Sequence, residues 1–146
     1  MTPERLRQIV FARDGETCQI DGHGLDCHAL ERAYYAAIAE AHADHERERE
    51  RCVMQVQGIA AGQRLTSQLI AIRQRLRALG FYHGKPFAEL HHVVAIDEGG
   101  SNEPSNCVCA CVPCHRRLTA EHAARRARKP LKAWQPPKVD RNGRPA

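Results

Sequence analysis

The sequence predicts a small α+β domain that is interrupted by a long helical hairpin. Three observations support this class. Apolar residues recur at helical spacing in three stretches, two short strand candidates follow them, and Cys and His cluster before the hairpin and after the strands. At 146 residues the chain fits one domain. We expect that domain over residues 1–130, and a basic, Pro-rich, disordered tail over residues 131–146.

The first helix is predicted from Pro3 to Arg13. Apolar residues fall on one face of this stretch, Thr2 is an N-cap residue, and Pro3 suits the first helical position. Asp14-Gly15 ends the helix. Residues 16–28 are rich in Gly, Asp, Cys and His, which predicts a loop or knuckle.

Two further helices are predicted over residues 29–57 and 63–79, with a break at Gly58 and Gly62. Gly80 ends the second one, whose apolar stripe consists of Leu65, Leu69, Ile72, Leu76 and Leu79. We expect these helices to form an antiparallel hairpin, inserted over about residues 29–80. The pattern leaves open whether this insertion packs on the core, forms a homodimer or clamps nucleic acid.

Short strands are predicted over Phe87–Leu90 and His92–Ile96, followed by turns that are rich in Gly, Asn and Pro. A closing helix is expected over residues 115–128, with Pro130 beyond its end. Cys107 and Cys109 are interpreted as small buried residues.

The basic charge lies at one end of the chain. Residues 115–146 carry ten Lys and Arg against two acidic residues, a net charge of +8, while residues 1–114 have a net charge of −3. Such a segment is typical of contact with a polyanion such as DNA or RNA. The alternative is a tail that only increases solubility.

The seven Cys favour metal binding over disulfides. Residues 1–7 lead into an amphipathic helix rather than an apolar signal segment, and no run approaches the roughly 18 apolar residues that span a bilayer. We therefore expect a cytoplasmic protein without a membrane partner, in which the Cys are reduced and clustered Cys and His bind metal.

Cys111-x-x-Cys114 has the spacing of half a tetrahedral zinc site. Cys18 is the candidate for the third ligand, and Asp21 stands where the second Cys of an upstream C-x-x-C would be. This spacing makes Cys18, Asp21, Cys111 and Cys114 the expected structural zinc ligands, although the fourth position remains open between Asp21, His23 and Cys27.

His91 and His92 are adjacent on a predicted strand, so their side chains point to opposite faces. One could therefore bind a metal ion while the other acts as a base. Together these are the groups that phosphodiester hydrolysis requires, because the cation acts on the phosphate and a near-neutral base activates water.

The order of the remaining residues resembles the HNH endonuclease motif. A His-His pair in Glu89–Val94 is followed by Gly99-Gly100, then by Asn106, and then by the C-x-x-C-H of Cys111–His115. Upstream, Arg13–Cys18 resembles the R-D-G-x-x-C with which many such domains begin. The resemblance implies a small ββα-metal core with a zinc knuckle, the core lying over about residues 86–128.

The resemblance also implies a metal-dependent endonuclease that hydrolyses DNA, with double-stranded DNA as the partner. His91 and His115 would bind the catalytic ion, which would be Mg²⁺ or Mn²⁺, although imidazoles also accept Ni²⁺ or Zn²⁺. His92 would be the general base, and Asn106 would hold the loop that orients it. The expected phosphate contacts are Arg116, Arg117, Arg125 and Arg126.

Two other functions fit the sequence. The first is a non-catalytic zinc module that binds nucleic acid or a protein, although such a module would not require His92 or Asn106. The second is a nicking accessory of a phage or mobile element that depends on a partner and acts in the host cytoplasm. The sequence does not separate the second from an independent nuclease.

Overall fold

The computed structural model of the chain describes residues 1–51 and 55–128. The predicted tail over residues 131–146 and Pro130 lie outside the described residues. The chain divides into two compact units, residues 1–116 and residues 117–146. In the part of the chain that is described, no helix has both the length and the apolar character needed to cross a membrane.

Helix α1 spans Pro3–Asp14, as predicted from its caps. The Thr2 hydroxyl accepts a hydrogen bond from the Arg5 amide, and Gly15 ends the helix in the left-handed conformation with φ of 61°. The helix buries Leu6 and Val10 against Cys107, and this contact forms part of the core.

Helices α2 (Cys27–Arg51) and α3 (Gln55–Ala78) form the expected antiparallel hairpin, in which Arg64 of α3 forms an ion pair with Glu48 of α2. The predicted break before residue 63 is wrong, because α3 runs through both Gly58 and Gly62. A Gly inside a helix costs about 1 kcal/mol relative to Ala. Packing outweighs that cost here, since the intervening Ala61 is fully buried.

Strand β1 (Ala88–His92) pairs antiparallel with strand β2 (Cys107–Cys111). The predicted strand over His92–Ile96 is therefore wrong beyond His92. The apolar residues that suggested a strand, Val93 and Val94, are exposed. The amide groups of these two residues bond to Asn106 instead of to a neighbouring strand, so the chain turns into a loop.

Helix α4 (Val112–Arg128) follows β2 directly and begins three residues before the predicted closing helix. Pro113 fits its first turn, where a missing amide hydrogen costs nothing. Cys111 is consequently the last residue of β2, and Cys114 and His115 lie in the first turn of α4. Cys107 and Cys109 are fully buried, which confirms their interpretation as small core residues.

Candidate metal centre and active site

Four side chains, from the loop after α1 and the β2–α4 junction, converge at one point. One ligand atom from each lies within 4.8 Å of the other three: Cys18, His23, Cys111 and Cys114. Nδ1 of His23 is 3.4 Å from Sγ of Cys111 and 3.4 Å from Sγ of Cys114. Zinc–sulfur and zinc–nitrogen bonds in a tetrahedral site give a ligand separation of about 3.5 Å. The cluster therefore has the size and donor set to hold a zinc ion.

The backbone of the loop after α1 directs His23 into this cluster. Asp21 and Gly22 have positive φ values of 50° and 69°, and the His23 amide donates to the Ile20 carbonyl at 2.8 Å. The loop closes where the Gly24 amide donates to the Cys18 carbonyl at 3.0 Å. The tight turn thus brings Cys18 and His23 to the same side.

The turn also changes the expected ligand set. Asp21 occupies the left-handed position of the turn, a conformation that Asp tolerates, and does not belong to the cluster. Cys27, the third candidate for the fourth position, hydrogen-bonds through its thiol to Cys109. The structure therefore brings His23, and neither Asp21 nor Cys27, to Cys18 and the C-x-x-C pair.

Burial makes this cluster a poor place for several thiolates without a cation. Burial raises the pKa of Cys111 to about 12, and hydrogen bonds to the thiols of Cys114 and Cys18 add to the rise. At Cys18 burial also opposes ionisation, but hydrogen bonds from the Cys111 and Ile20 backbone and from His23 outweigh it and lower the pKa. A bound dication would supply the missing positive charge and release protons.

A second group of side chains lies on the other side of the sheet register, on β1 and α4. The rings of His91 and His115 meet edge to face, with centroids 5.6 Å apart. Nδ1 of His115 is 2.5 Å from a carboxylate oxygen of Glu89. Glu89 and His91 are two residues apart on β1 and so share a face. The Glu89 contact holds the His115 ring and leaves its Nε2 available.

Burial lowers the pKa of His91, and the neighbouring imidazoles of His115 and His92 lower it further. His91 is therefore neutral at neutral pH, the form in which a ring nitrogen can bind a cation.

His92 points to the opposite face and bonds to Asn102. Its Nε2 lies 2.9 Å from Oδ1 of Asn102 in the loop between the strands. An amide oxygen only accepts, so Nε2 carries the ring proton and Nδ1 keeps its lone pair. The sequence gave no sign of Asn102, because its partner lies ten residues earlier and across a turn.

Asn106 holds the loop that follows β1. Its Oδ1 accepts from the Val94 amide at 2.9 Å, and its Nδ2 donates to the carbonyls of Val94 and Ser101, each at 2.9 Å. Gly100 lies against this arrangement, where any Cβ would clash with the Val94 carbonyl. Asn106 thus bonds to the backbone at two points of the loop, as the resemblance implied.

Arg13 and Asp14 couple the end of α1 to β2. The Arg13 guanidinium donates to the Pro104 carbonyl at 2.8 Å and to the Cys107 carbonyl at 2.7 Å. Asp14 accepts from Arg13 at 2.6 Å and from the Cys109 amide at 2.8 Å. These contacts give the upstream R-D-G motif a structural role, because they clamp both sides of Asn106.

The four candidate phosphate-binding arginines differ in their surroundings. Arg116 belongs to the first unit, where its guanidinium lies 4.9 Å from the ring centroid of Tyr82. Arg117 pairs with Glu121 at 3.0 Å in the second unit, which reduces its charge. Arg125 contacts His122 at 3.4 Å, and Arg126 is exposed on the same helix.

A two-stranded antiparallel sheet followed by a helix, with imidazoles from both, defines a ββα class of domain. Residues 80–121 match the family model described as HNH endonuclease. The chain is also 46% identical over 35 residues to EcoKMcrA, a type IV methyl-directed restriction enzyme of Escherichia coli (strain K12). That match covers 24% of this chain and 13% of the relative. The search of solved structures gave no significant match.

Residues 80–121 are therefore an HNH endonuclease domain. The family match and the partial relative support a nuclease of the HNH type in general.

Proposed function

We propose that this protein is a metal-dependent endonuclease that hydrolyses phosphodiester bonds in double-stranded DNA. The observation that carries the proposal is the pairing of His91 and His115 beside a third imidazole, His92, whose proton is held on Nε2. The name of the partial relative, a restriction enzyme, supports DNA as the substrate.

His91 and His115 are the proposed ligands of the catalytic cation. The donor set fits, since His91 is neutral and the Glu89 carboxylate occupies Nδ1 of His115, leaving Nε2 for the ion. A divalent cation such as Mg²⁺ or Mn²⁺ would supply positive charge to the scissile phosphate and to the leaving oxygen.

His92 is the proposed general base. Water attacks phosphorus as the bond from phosphorus to the 3′ oxygen breaks, and the proton of that water passes to Nδ1 of His92. Asn102 keeps the other ring nitrogen protonated, so the lone pair stays on the atom that takes the proton. Asn106 maintains the loop that carries both partners.

Cys18, His23, Cys111 and Cys114 are proposed to hold a structural zinc ion. The ligand-to-ligand distances fit a closed tetrahedral site of three Cys and one His, which has no open position for substrate. Since Cys114 immediately precedes His115, this ion would brace the helix turn that presents the catalytic ligand.

Cleavage of supercoiled plasmid in the presence of Mg²⁺, Mn²⁺ or Ni²⁺ tests the proposal. We expect the wild type to nick plasmid and His92→Ala to lose about 10²- to 10⁴-fold in rate, because a positioned base contributes that much. His42→Ala is the matched control, since His42 is exposed on α2 and should leave the rate unchanged. A folded, zinc-loaded wild type that leaves plasmid intact with every metal would instead support a non-catalytic zinc module.

A further inference from the structure

A basic pocket lies at the base of the helical hairpin. It has a volume of about 580 Å³ and is lined by six residues from α3, the loop after α3 and the start of α4: Arg73, Arg77, Tyr82, His83, Lys85 and Arg116. Four of the six carry a positive charge at neutral pH. No carboxylate lines the pocket among the residues that the structure describes.

The cations of this pocket differ from those nearer the tip of the hairpin. Near the tip, Arg47, Arg49 and Arg64 each pair with a carboxylate of α2. In the described parts of the chain, no ion pair to a carboxylate involves Arg73 or Arg77. Uncompensated like charges repel one another, so their grouping favours an anionic ligand.

The loop that lines the pocket is anchored at both ends. Phe81 and Phe87 are buried and stack with ring centroids 5.0 Å apart. Between them, Nδ1 of His83 lies 3.0 Å from the hydroxyl of Tyr34 on α2. The exposed Tyr82 ring carries the Arg116 guanidinium against it. The pocket is thus a preformed surface rather than a set of unconnected side chains.

The position of Arg116 connects the pocket to the active site. It follows His115, the proposed metal ligand, directly in the chain. An extended phosphodiester backbone that has one phosphate at His115 must continue across neighbouring surface, and a pocket of guanidinium and ammonium groups is suited to phosphate oxygens.

We infer that this pocket binds backbone phosphates of the DNA substrate beside the scissile bond, so that the base of the helical hairpin is a DNA-binding element. The inference rests on the proposed function for its substrate. It assigns phosphate contacts to Arg73, Arg77 and Lys85, which come from outside the ββα core, in addition to Arg116. Such contacts position a duplex without reading its sequence.

Fluorescence anisotropy of the full chain with a labelled 20-base-pair duplex, without added catalytic metal, tests the inference. We expect Arg73→Ala/Arg77→Ala to weaken binding by about ten-fold and to reduce the salt dependence by about two phosphate contacts. The matched control is Arg47→Ala/Arg49→Ala, which removes the same charge from α2 nearer the tip and should change the dissociation constant less than about two-fold.

Three results would overturn the inference: unchanged duplex binding by the pocket variant, equal weakening in the control variant, or a pocket that takes only a free phosphate compound. The last would appear as binding of a mononucleotide that the pocket variant loses while its duplex affinity is unchanged. Because binding is measured without cleavage, a protein that binds through the pocket but never nicks plasmid would contradict the proposed function alone. A protein that nicks plasmid while the pocket variant binds normally would contradict this inference alone.

Discussion

The contact between His92 and Asn102 connects the proposed base to the loop between the strands. A histidine ring can carry its proton on either nitrogen, and the hydrogen-bond partner of one nitrogen decides the state of the other. Oδ1 of Asn102 accepts from Nε2, so Nδ1 retains the lone pair that proton abstraction requires.

At this scale we predict that Asn102→Leu lowers the turnover number for plasmid nicking by about 10- to 100-fold, a typical cost for removing a partner that orients an active-site histidine. Asn102→Asp keeps an accepting oxygen and should retain much more activity. Duplex affinity and KM should change little in both variants, because Asn102 acts through His92. Nicking by Asn102→Leu at the wild-type rate would contradict the role of this side chain.

The Arg13–Asp14 clamp acts at the scale of the elements, since it joins the end of α1 to β2. Burial by itself would raise the pKa of Asp14, but hydrogen bonds from Arg13 and from the Cys109 amide, with the charge of Arg13, outweigh it and lower the pKa. A carboxyl group with a lowered folded-state pKa stabilises the fold above its unfolded value of about 3.9. That contribution is lost as the pH falls through the folded-state value.

We therefore predict that Asp14→Asn lowers the free energy of unfolding by about 1–3 kcal/mol at pH 7, the usual cost of weakening charge-assisted hydrogen bonds. The difference from wild type should shrink below pH 4, where Asp14 becomes protonated. Urea denaturation at several pH values measures it, and any release of metal in acid affects both proteins alike. Asp44→Asn, which removes an exposed partner of Arg47, is the control and should cost less than about 0.5 kcal/mol. A pH-independent difference would exclude ionised Asp14 as the cause.

For the whole molecule, the Cys–His cluster connects the loop after α1 to the β2–α4 junction, across 88 residues between His23 and Cys111. Aromatic residues are only 5% of the chain, which limits the apolar core. Structural zinc supplies folding free energy directly in such domains.

We predict that His23→Ala and Cys114→Ser each lose about one equivalent of zinc per chain by mass spectrometry of metals. Their thermal midpoints should fall by about 10 °C or more, as expected when several kcal/mol of metal-binding free energy are removed. Asp21→Asn should keep its zinc and its midpoint. Full zinc in His23→Ala together with zinc loss in Asp21→Asn would reverse the ligand assignment.

The sequence by itself determined the features that depend on neighbours along the chain. The caps of α1 were predicted correctly because a Thr, a Pro and a Gly act within one helical turn. The adjacent His91 and His92 and the C-x-x-C-H string indicated nuclease chemistry because their spacing is local. Glu89 could also have been found, since it lies two residues before His91 and so on the same face of β1.

Only the tertiary structure decided the features that depend on distance through space. Cys18, Asp21, His23 and Cys27 offered similar donors in sequence, and a left-handed turn at Asp21 and Gly22 selected His23. The second strand was misplaced because Val93–Ile96 is apolar but has no strand to pair with. The basic pocket joins α3 to α4, nearly forty residues apart in the chain. Spacing along the chain specifies local backbone geometry, whereas packing of the folded chain decides which distant side chains meet.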